Sequence, residues 1–212
     1  MTGERRSYRR ESEESRREAL VQAVLDLVAT GGVAAATVRA IAERAGVTPG
    51  LIRHYFAGKD DLNRAAYRQF MEGMTADSVK PMTEGPDDPR ERLARFVVGS
   101  LSPPVEDPLR LALLTGFPPP GRREAEMRDI HRQTYHSYRD VLEGLIRALD
   151  RPGADAARCR ADASACNGVI DGLWMEGGAL PDEFSGHQLE DIGLRAVGAI
   201  LGIEMPATGK DI

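Results

Sequence analysis

Aromatic residues are scarce in this chain: Phe, Trp and Tyr make up 5% of 212 residues, with a single Trp. A core with so few rings must be aliphatic and alanine-rich, which suits helix-on-helix packing better than strands, where Val, Ile and aromatics concentrate. No period-2 strand of convincing length is present. Cysteine is nearly absent. Cys159 and Cys166 are seven apart in a helical stretch, so their Cα atoms would lie about 10 Å apart, beyond disulfide reach. They read as small buried or half-buried thiols of a reduced compartment. No uninterrupted apolar run nears the roughly 20 residues of a membrane span, and the N-terminal TGERRSYRRESEESRR has no apolar core like that of a signal peptide. A cytoplasmic protein with no membrane partner is expected. Also missing are a Walker loop, a dinucleotide glycine fingerprint, an HExxH and a G-x-S-x-G. The histidines His54, His131, His136 and His187 are scattered, and the five-residue step from His131 to His136 falls outside the spacing that pairs two helical ligands. Neither catalysis, nor a metal, nor a cofactor is expected.

What is present is organised around Thr37 to Asp60, TVRAIAERAGVTPGLIRHYFAGKD. Val38, Ile41, Ala42 and Ala45 fall at i, i+3, i+4 and i+7, one inward helical face. Thr37 suits the N-cap, and Gly46 suits the left-handed residue that ends a helix. Thr48 can cap a second helix whose first position is Pro49. Helices this short need tertiary support, which an upstream helix supplies. The second helix of such a helix-turn-helix fits the DNA major groove. Gly50 lets backbone come close to a surface, Arg53 can donate a fork to guanine or phosphate, and Thr48, His54 and Tyr55 offer short hydrogen bonds. Lys59, near the start of the next helix, suits a phosphate together with the free amides there. The plainer alternative is an ordinary helical hairpin with a solvated face.

Net charge is −5, but residues 1 to 60 hold ten Lys or Arg against eight Asp or Glu, a balance of +2, which leaves −7 for the rest. That asymmetry suits an N-terminal half that meets phosphate.

Residues 1 to 14 read as a disordered tail, with Arg5, Arg6, Arg9 and Arg10 as a candidate basic arm. The first helix should run from about Ser15 to Thr30, with Ser15 and Glu18 as a capping box, an inward face of Leu20, Val24, Leu27 and Val28, and Gly31 and Gly32 as its end. The fourth begins near Lys59, with Leu62, Ala66, Phe70 and Met74 inward. MTEGPDDP, Met82 to Pro89, marks a domain boundary, giving a head over 15 to 80 and a second domain over 81 to 212. Five further helices are expected at about Pro89 to Leu101, Pro108 to Phe117, Arg122 to Leu149, Asp155 to Gly177 and Ser185 to Leu201, a bundle punctuated by PPVEDP at 103 to 108 and FPPPG at 117 to 121. The eighth is small-faced, through Ala161, Ala163, Ala165, Gly168 and Gly172. The ninth carries Leu189, Ile192, Ala196, Val197 and Ile200 as an apolar stripe. Two such helices per chain can pack as four in a twofold homodimer, which would set two heads about 34 to 36 Å apart on a palindromic operator; the alternative is that they simply complete the bundle.

VRAIAERAGVTPGLIRHYFAGKDDL resembles the DNA-binding signature of the TetR family of one-component bacterial regulators. The resemblance implies an all-α fold: an N-terminal three-helix helix-turn-helix domain, then a helical bundle for ligand binding and dimerisation. Thr37, Arg39, Thr48, Gly50, Arg53, His54, Tyr55 and Lys59 inherit backbone or base contacts to double-stranded DNA. Pro49 departs from the pattern, standing where many members have a polar contact residue. IDGLWMEGGALPDEFSG, Ile170 to Gly186, resembles the C-terminal part of the BetI-like branch, and LRLALLTGF, Leu109 to Phe117, fits it more loosely. The namesake of that branch responds to choline, so choline or another quaternary ammonium is one candidate effector. A bundle core is where such a ligand would sit, with Phe96, Phe117, His131, Tyr135, Tyr138, Asp171 and Trp174 as lining. Aromatic rings around a carboxylate would hold a cation by cation–π attraction, about 0.5 to 2 kcal/mol per ring. The expectation is a homodimeric repressor released from DNA by a small molecule. A helical ligand-sensing dimer that acts on a protein partner is the alternative.

Overall fold

The computed structural model describes residues 2–84, 87–102, 108–117 and 124–206. Among these no strand occurs, and nine α-helices follow one another. They are α1 (Thr2–Ala35), α2 (Val38–Arg44), α3 (Pro49–Tyr55), α4 (Lys59–Val79), α5 (Pro89–Leu101), α6 (Pro108–Gly116), α7 (Ala125–Ala148), α8 (Ala156–Ala179) and α9 (Gln188–Leu201). Short 3-10 turns at Lys80–Glu84 and Pro181–Glu183 were not foreseen. The proline-rich stretches at 103 to 107 and 118 to 121 lie outside the described residues, as do the side chains of the candidate arm, Arg5, Arg6, Arg9 and Arg10.

The first helix is longer than expected. It starts at Thr2, not Ser15, so Ser15 lies mid-helix and cannot cap. The tail composition explains this: Arg and Glu are good helix formers, and Arg9 with Glu13 and Arg10 with Glu14 are spaced i, i+4. Gly31 and Gly32 do break the helix, Gly32 at φ +67°, before one last turn to Ala35. By length and composition Glu13–Ala35 is apolar enough to cross a membrane. Its apolar side is nevertheless spent on protein core, with Leu20, Val21, Val24, Leu25 and Val28 all buried.

The chain divides into two compact units whose limits do not follow sequence order. Met1–Phe70 joins Ala112–His131, and Met71–Leu111 joins Arg132–Ile212. The linear split near residue 80 therefore misses a segment after α5 that returns to the first unit. In that unit the core is built from the α1 face, Ile41 and Ala42 of α2, Ile52 of α3, Phe56, and Leu62, Ala66, Tyr67 and Phe70 of α4. Phe117 and Leu113 add to it. Gly116 eases the approach there: a Cβ would stand 3.0 Å from both the carbonyl oxygen and Cγ1 of Val28, tighter than an ordinary contact. Val38, expected inward, is 40% exposed; as the first residue of a seven-residue helix it is not covered by a further turn.

The second unit is a bundle of α5, α8 and α9 with parts of α4, α6 and α7. Gly193 lets α9 approach α5, since a Cβ there would lie 2.4 Å from Leu101 Cδ1. Asp162 of α8, 5% exposed, receives both Arg151 and Arg158, and Arg151 also donates to the Leu201 carbonyl at 3.1 Å. Burial would raise the Asp162 pKa, but the two guanidinium groups outweigh it and hold it below the usual carboxylate value. Cys159 and Cys166 are free and buried, and burial, with Asp162 nearby, pushes the Cys166 thiol up to about 12. Neither is a ready nucleophile.

Candidate nucleic-acid interface and effector site

The turn between α2 and α3 is a Schellman motif. Gly46 has φ +66°, Gly46 N–H donates to the Glu43 carbonyl at 3.2 Å and Val47 N–H to the Ala42 carbonyl at 2.9 Å. Thr37 caps α2, its Oγ1 accepting from Ala40 N–H at 3.2 Å, which leaves the hydroxyl hydrogen to donate elsewhere. Thr48 occupies the N-cap of α3, but its side chain accepts no helix N–H. The expected hydroxyl cap is therefore not formed, and Pro49 at the first position removes one donor that needed it.

The predicted contact residues share the solvent side of this pair of helices. Thr37, Arg39, Thr48, Gly50, Arg53 and His54 are exposed, and Tyr55 and Lys59 half-buried. Behind them Ile41, Ile52 and Phe56 are buried, and Arg17 lies over the Phe56 ring at 4.9 Å. Arg44 is taken by Asp26 at 3.4 Å. Arg39, Arg53 and Lys59 form no ion pair with any described residue, so their charge is available to phosphate. Just before α4 the Ala57 N–H is taken by Asp61 Oδ2 at 3.0 Å, and Asp60 and Asp61 stand in the first turn beside Lys59. Asp61 is held by Arg64 at 3.6 Å, which also reaches Glu126 of α7 at 2.9 Å.

The residues expected to line an effector pocket are divided between the two units. In the first, Phe117 and His131 surround Tyr67: the rings of Tyr67 and Phe117 meet edge-on at 5.1 Å, and the Tyr67 hydroxyl bonds His131 Nδ1 at 2.7 Å. In the second, Tyr135 O–H donates to Asp171 Oδ2 at 2.8 Å, and Asn167 Nδ2 donates to the same oxygen at 2.9 Å and to the Tyr135 oxygen. Ser100 O–H goes to the Phe96 carbonyl, so the Tyr138 hydroxyl donates to Ser100 Oγ at 2.8 Å, with the Tyr138 and Phe96 rings 5.0 Å apart. Trp174 is buried. Burial and the adjoining carboxylate push the Tyr135 phenol up to about 12, and burial drives Tyr138 well above its usual value. Both are neutral donors at pH 7. Desolvation raises the Asp171 carboxyl, against the two hydrogen bonds that lower it. Asp171 nevertheless lies at the surface, and it forms no ion pair with any described residue. Sequence reasoning missed Asn167 and Ser100. The i, i+4 step from Asn167 to Asp171 was a readable signal. Two surface clefts of the second unit, of about 580 and 660 Å³, are lined by other residues.

On α8 the small residues separate. Ala163 is buried, whereas Ala161, Ala165, Gly168 and Gly172 are exposed, one stripe continued by Met175. On α9, Leu189 and Val197 are buried in their own bundle, while Ile192, Ala196 and Ile200 remain half-exposed.

Two family models match this chain. That of bacterial regulatory proteins of the tetR family covers residues 20–66, and that of the C-terminal domain of BetI-type transcriptional repressors covers 89–202. The chain belongs to the tetR family, in its BetI-type branch. Its curated relatives include the HTH-type transcriptional regulator BetI 1 of Chromohalobacter salexigens, 30% identical over 78% of this chain and 80% of the relative. The BetI of Stenotrophomonas maltophilia is 28% identical over 82% and 86%. Among solved structures, a transcriptional regulator of Pseudomonas aeruginosa PAO1 superposes with a TM-score of 0.77 at 29% identity, covering 89% of this chain and 91% of that one. The regulator FadR of Bacillus subtilis, solved with stearoyl-CoA, shares the fold at 19% identity, with a TM-score of 0.67 over 87% and 97%. As a tetR-family member the chain is an all-α transcriptional regulator with a DNA-binding helix-turn-helix, and the families it matches are regulators, not enzymes.

Proposed function

We propose that the chain is a cytoplasmic, homodimeric repressor that binds a palindromic operator through Thr37, Arg39, Thr48, Gly50, Arg53, His54, Tyr55 and Lys59 and leaves it when a small organic cation binds the bundle. The observation that carries the DNA reading is the coincidence of exposure and unspent charge on α2 and α3, where Arg39 and Arg53 have no ion-pair partner among the described residues. The head belongs to the unit that holds α1 to α3, and the dimer surface to the unit that holds α8 and α9.

The dimer reading rests on α8. Gly168 and Gly172 sit in mid-helix at ordinary helical φ, and a Cβ at either would meet nothing within 4 Å. Each costs helix stability, about 0.5 to 1 kcal/mol, with no return inside the protomer. A partner helix against them, flanked by Ile192, Ala196 and Ile200, supplies that return. Leu189 and Val197, spent in their own core, are no longer assigned to the interface.

The effector reading rests on Asp171, a carboxylate with no ion-pair partner among the described residues, in the cluster with Tyr135 and Asn167; choline falls within the class it suits. Effector binding would favour a conformer whose α4 sets the two heads at a spacing the operator does not match, to the extent of its differential affinity for the two conformers. Fluorescence anisotropy on the DNA upstream of the chain's own gene, titrated with salt, tests the repressor. Selective binding that weakens linearly with log salt is expected. Absence of selectivity would leave a ligand sensor that acts on a protein partner.

A further inference from the structure

Asp61 ties down the turn that carries Lys59. Gly58 stands at the N-cap of α4, its carbonyl accepting the Leu62 N–H at 3.1 Å, and glycine has no side chain with which to cap a helix. Asp61, at the third helical position, reaches back instead, and its Oδ2 accepts the Ala57 N–H at 3.0 Å. Phe56, which ends α3, immediately precedes this turn. The path of the backbone from the recognition helix to Lys59 therefore depends on where one aspartate points.

The other oxygen of Asp61 meets a guanidinium. Oδ1 lies 3.6 Å from Arg64 Nη2, while Arg64 Nη1 reaches Glu126 Oε2 at 2.9 Å and Glu124 Oε2 at 3.7 Å. All four residues belong to the first unit. Glu126 stands in the first turn of α7, where a carboxylate is favoured by the positive end of the helix. A lone exposed ion pair contributes little. Here one guanidinium, its side chain 21% exposed, is shared by three carboxylates that repel one another without it. A chain of contacts thus runs from α7 through Arg64 and Asp61 to the Ala57 amide, two residues before Lys59.

We propose that Arg64 is a positioning residue for DNA binding: braced by Glu124 and Glu126, it aims Asp61 at Ala57 and so holds Lys59 in place for a phosphate. The proposal rests on the reading of Lys59 as a phosphate contact. Its consequence is opposite in sign to that of charge alone. Removing two carboxylates from the DNA-binding unit should tighten binding if only net charge counts, whereas losing the brace should weaken it. The whole chain carrying both Glu124→Gln and Glu126→Gln, titrated with salt on a random-sequence DNA duplex, distinguishes the two. The Kd is expected to rise about twofold to fivefold, the worth of a partly shielded charge pair, with a shallower salt slope. Tighter binding, or an unchanged Kd, overturns the proposal. Amide exchange followed by NMR reads the brace without DNA. The Ala57 N–H should exchange about twofold to fivefold faster in Arg64→Met and in the double variant, while the Ala45 N–H, bonded to the Ile41 carbonyl at 2.9 Å, keeps its rate and reports an intact head. A wild-type chain that ignores the duplex sinks the Lys59 reading, whereas an unchanged Ala57 rate refutes the brace by itself.

Discussion

Gly50 has no structural reason to be glycine. It lies inside α3 at ordinary helical φ, and a Cβ built on it meets nothing within 4 Å. Gly50→Ala should therefore stabilise the fold by about 0.5 kcal/mol, somewhat less than the full interior difference because the second helical position is only partly constrained. For a chain of 212 residues that is about 1 to 2 °C in Tm. DNA binding should move the other way. If the glycine lets the α3 backbone reach the groove, the added methyl holds Thr48 and Arg53 away from bases and phosphates. Losing even one good base contact costs about 1 to 3 kcal/mol, tenfold or more in Kd, and a homodimer of the kind proposed would suffer it twice. Differential scanning calorimetry at fixed protein concentration and anisotropy at fixed salt read the two effects. Gly144→Ala is the control: that glycine is also exposed and unobstructed, so alanine should raise Tm with Kd unchanged. Gly46→Ala, at φ +66°, should lose about 1 to 2 kcal/mol to left-handed strain. A Gly50→Ala protein that is more stable and binds operator as well as before refutes the close-approach argument.

Arg53→Ala and Lys59→Ala should differ, the first relaxing sequence selectivity, the second weakening all sequences alike with a shallower salt slope; equal effects remove the base-contact assignment. Asp162→Asn leaves Arg151, whose side chain is 11% exposed, without its carboxylate and should cost about 3 kcal/mol. Because the Asp162 pKa is depressed from the ordinary 3.8, its contribution is complete above that value and fades as pH falls below it. The Tm gap to wild type should be flat from pH 5 to 8 and close in acid, and a gap that closes on going alkaline would contradict this. Ala165→Arg, on the exposed stripe of α8, should give monomers by sedimentation velocity and at least about a hundredfold loss of operator affinity; a dimer of unchanged strength moves the interface elsewhere. Asp171→Asn should hold or raise Tm at pH 7, since a carboxyl whose pKa is raised in the folded state costs stability once ionised. A drop would show that the ionised group serves the fold.

The reading head was legible because its punctuation is local. Thr37, Gly46 and Pro49 each fix a helix end by local chemistry, and α2 and α3 lie where those residues put them, although the Thr48 hydroxyl cap does not form. The N-terminal stretch was misread because composition and propensity disagreed there. Mixed charge suggested disorder, whereas alternating Arg and Glu also makes a good solvated helix. The two-unit division was beyond sequence reasoning for a different cause. Nothing in LRLALLTGF says that its second half joins the core of α1 to α4; the absence of a side chain at Gly116 eases its approach to Val28.

Periodicity placed the candidate effector residues on helix faces but could not say what each face meets. His131, Tyr135 and Tyr138 are spaced for one side of α7, yet their partners are Tyr67, Asp171 and Ser100 respectively. Tyr135 meets Asp171 by its hydroxyl, and Asn167 meets the same oxygen. Residue types at helical spacing therefore suggested a class of ligand, and the partners of each side chain had to come from the fold. The same holds for the small residues of α8: spacing alone could not tell Ala163 from Ala165, but the fold buries the first in the core and leaves the second exposed.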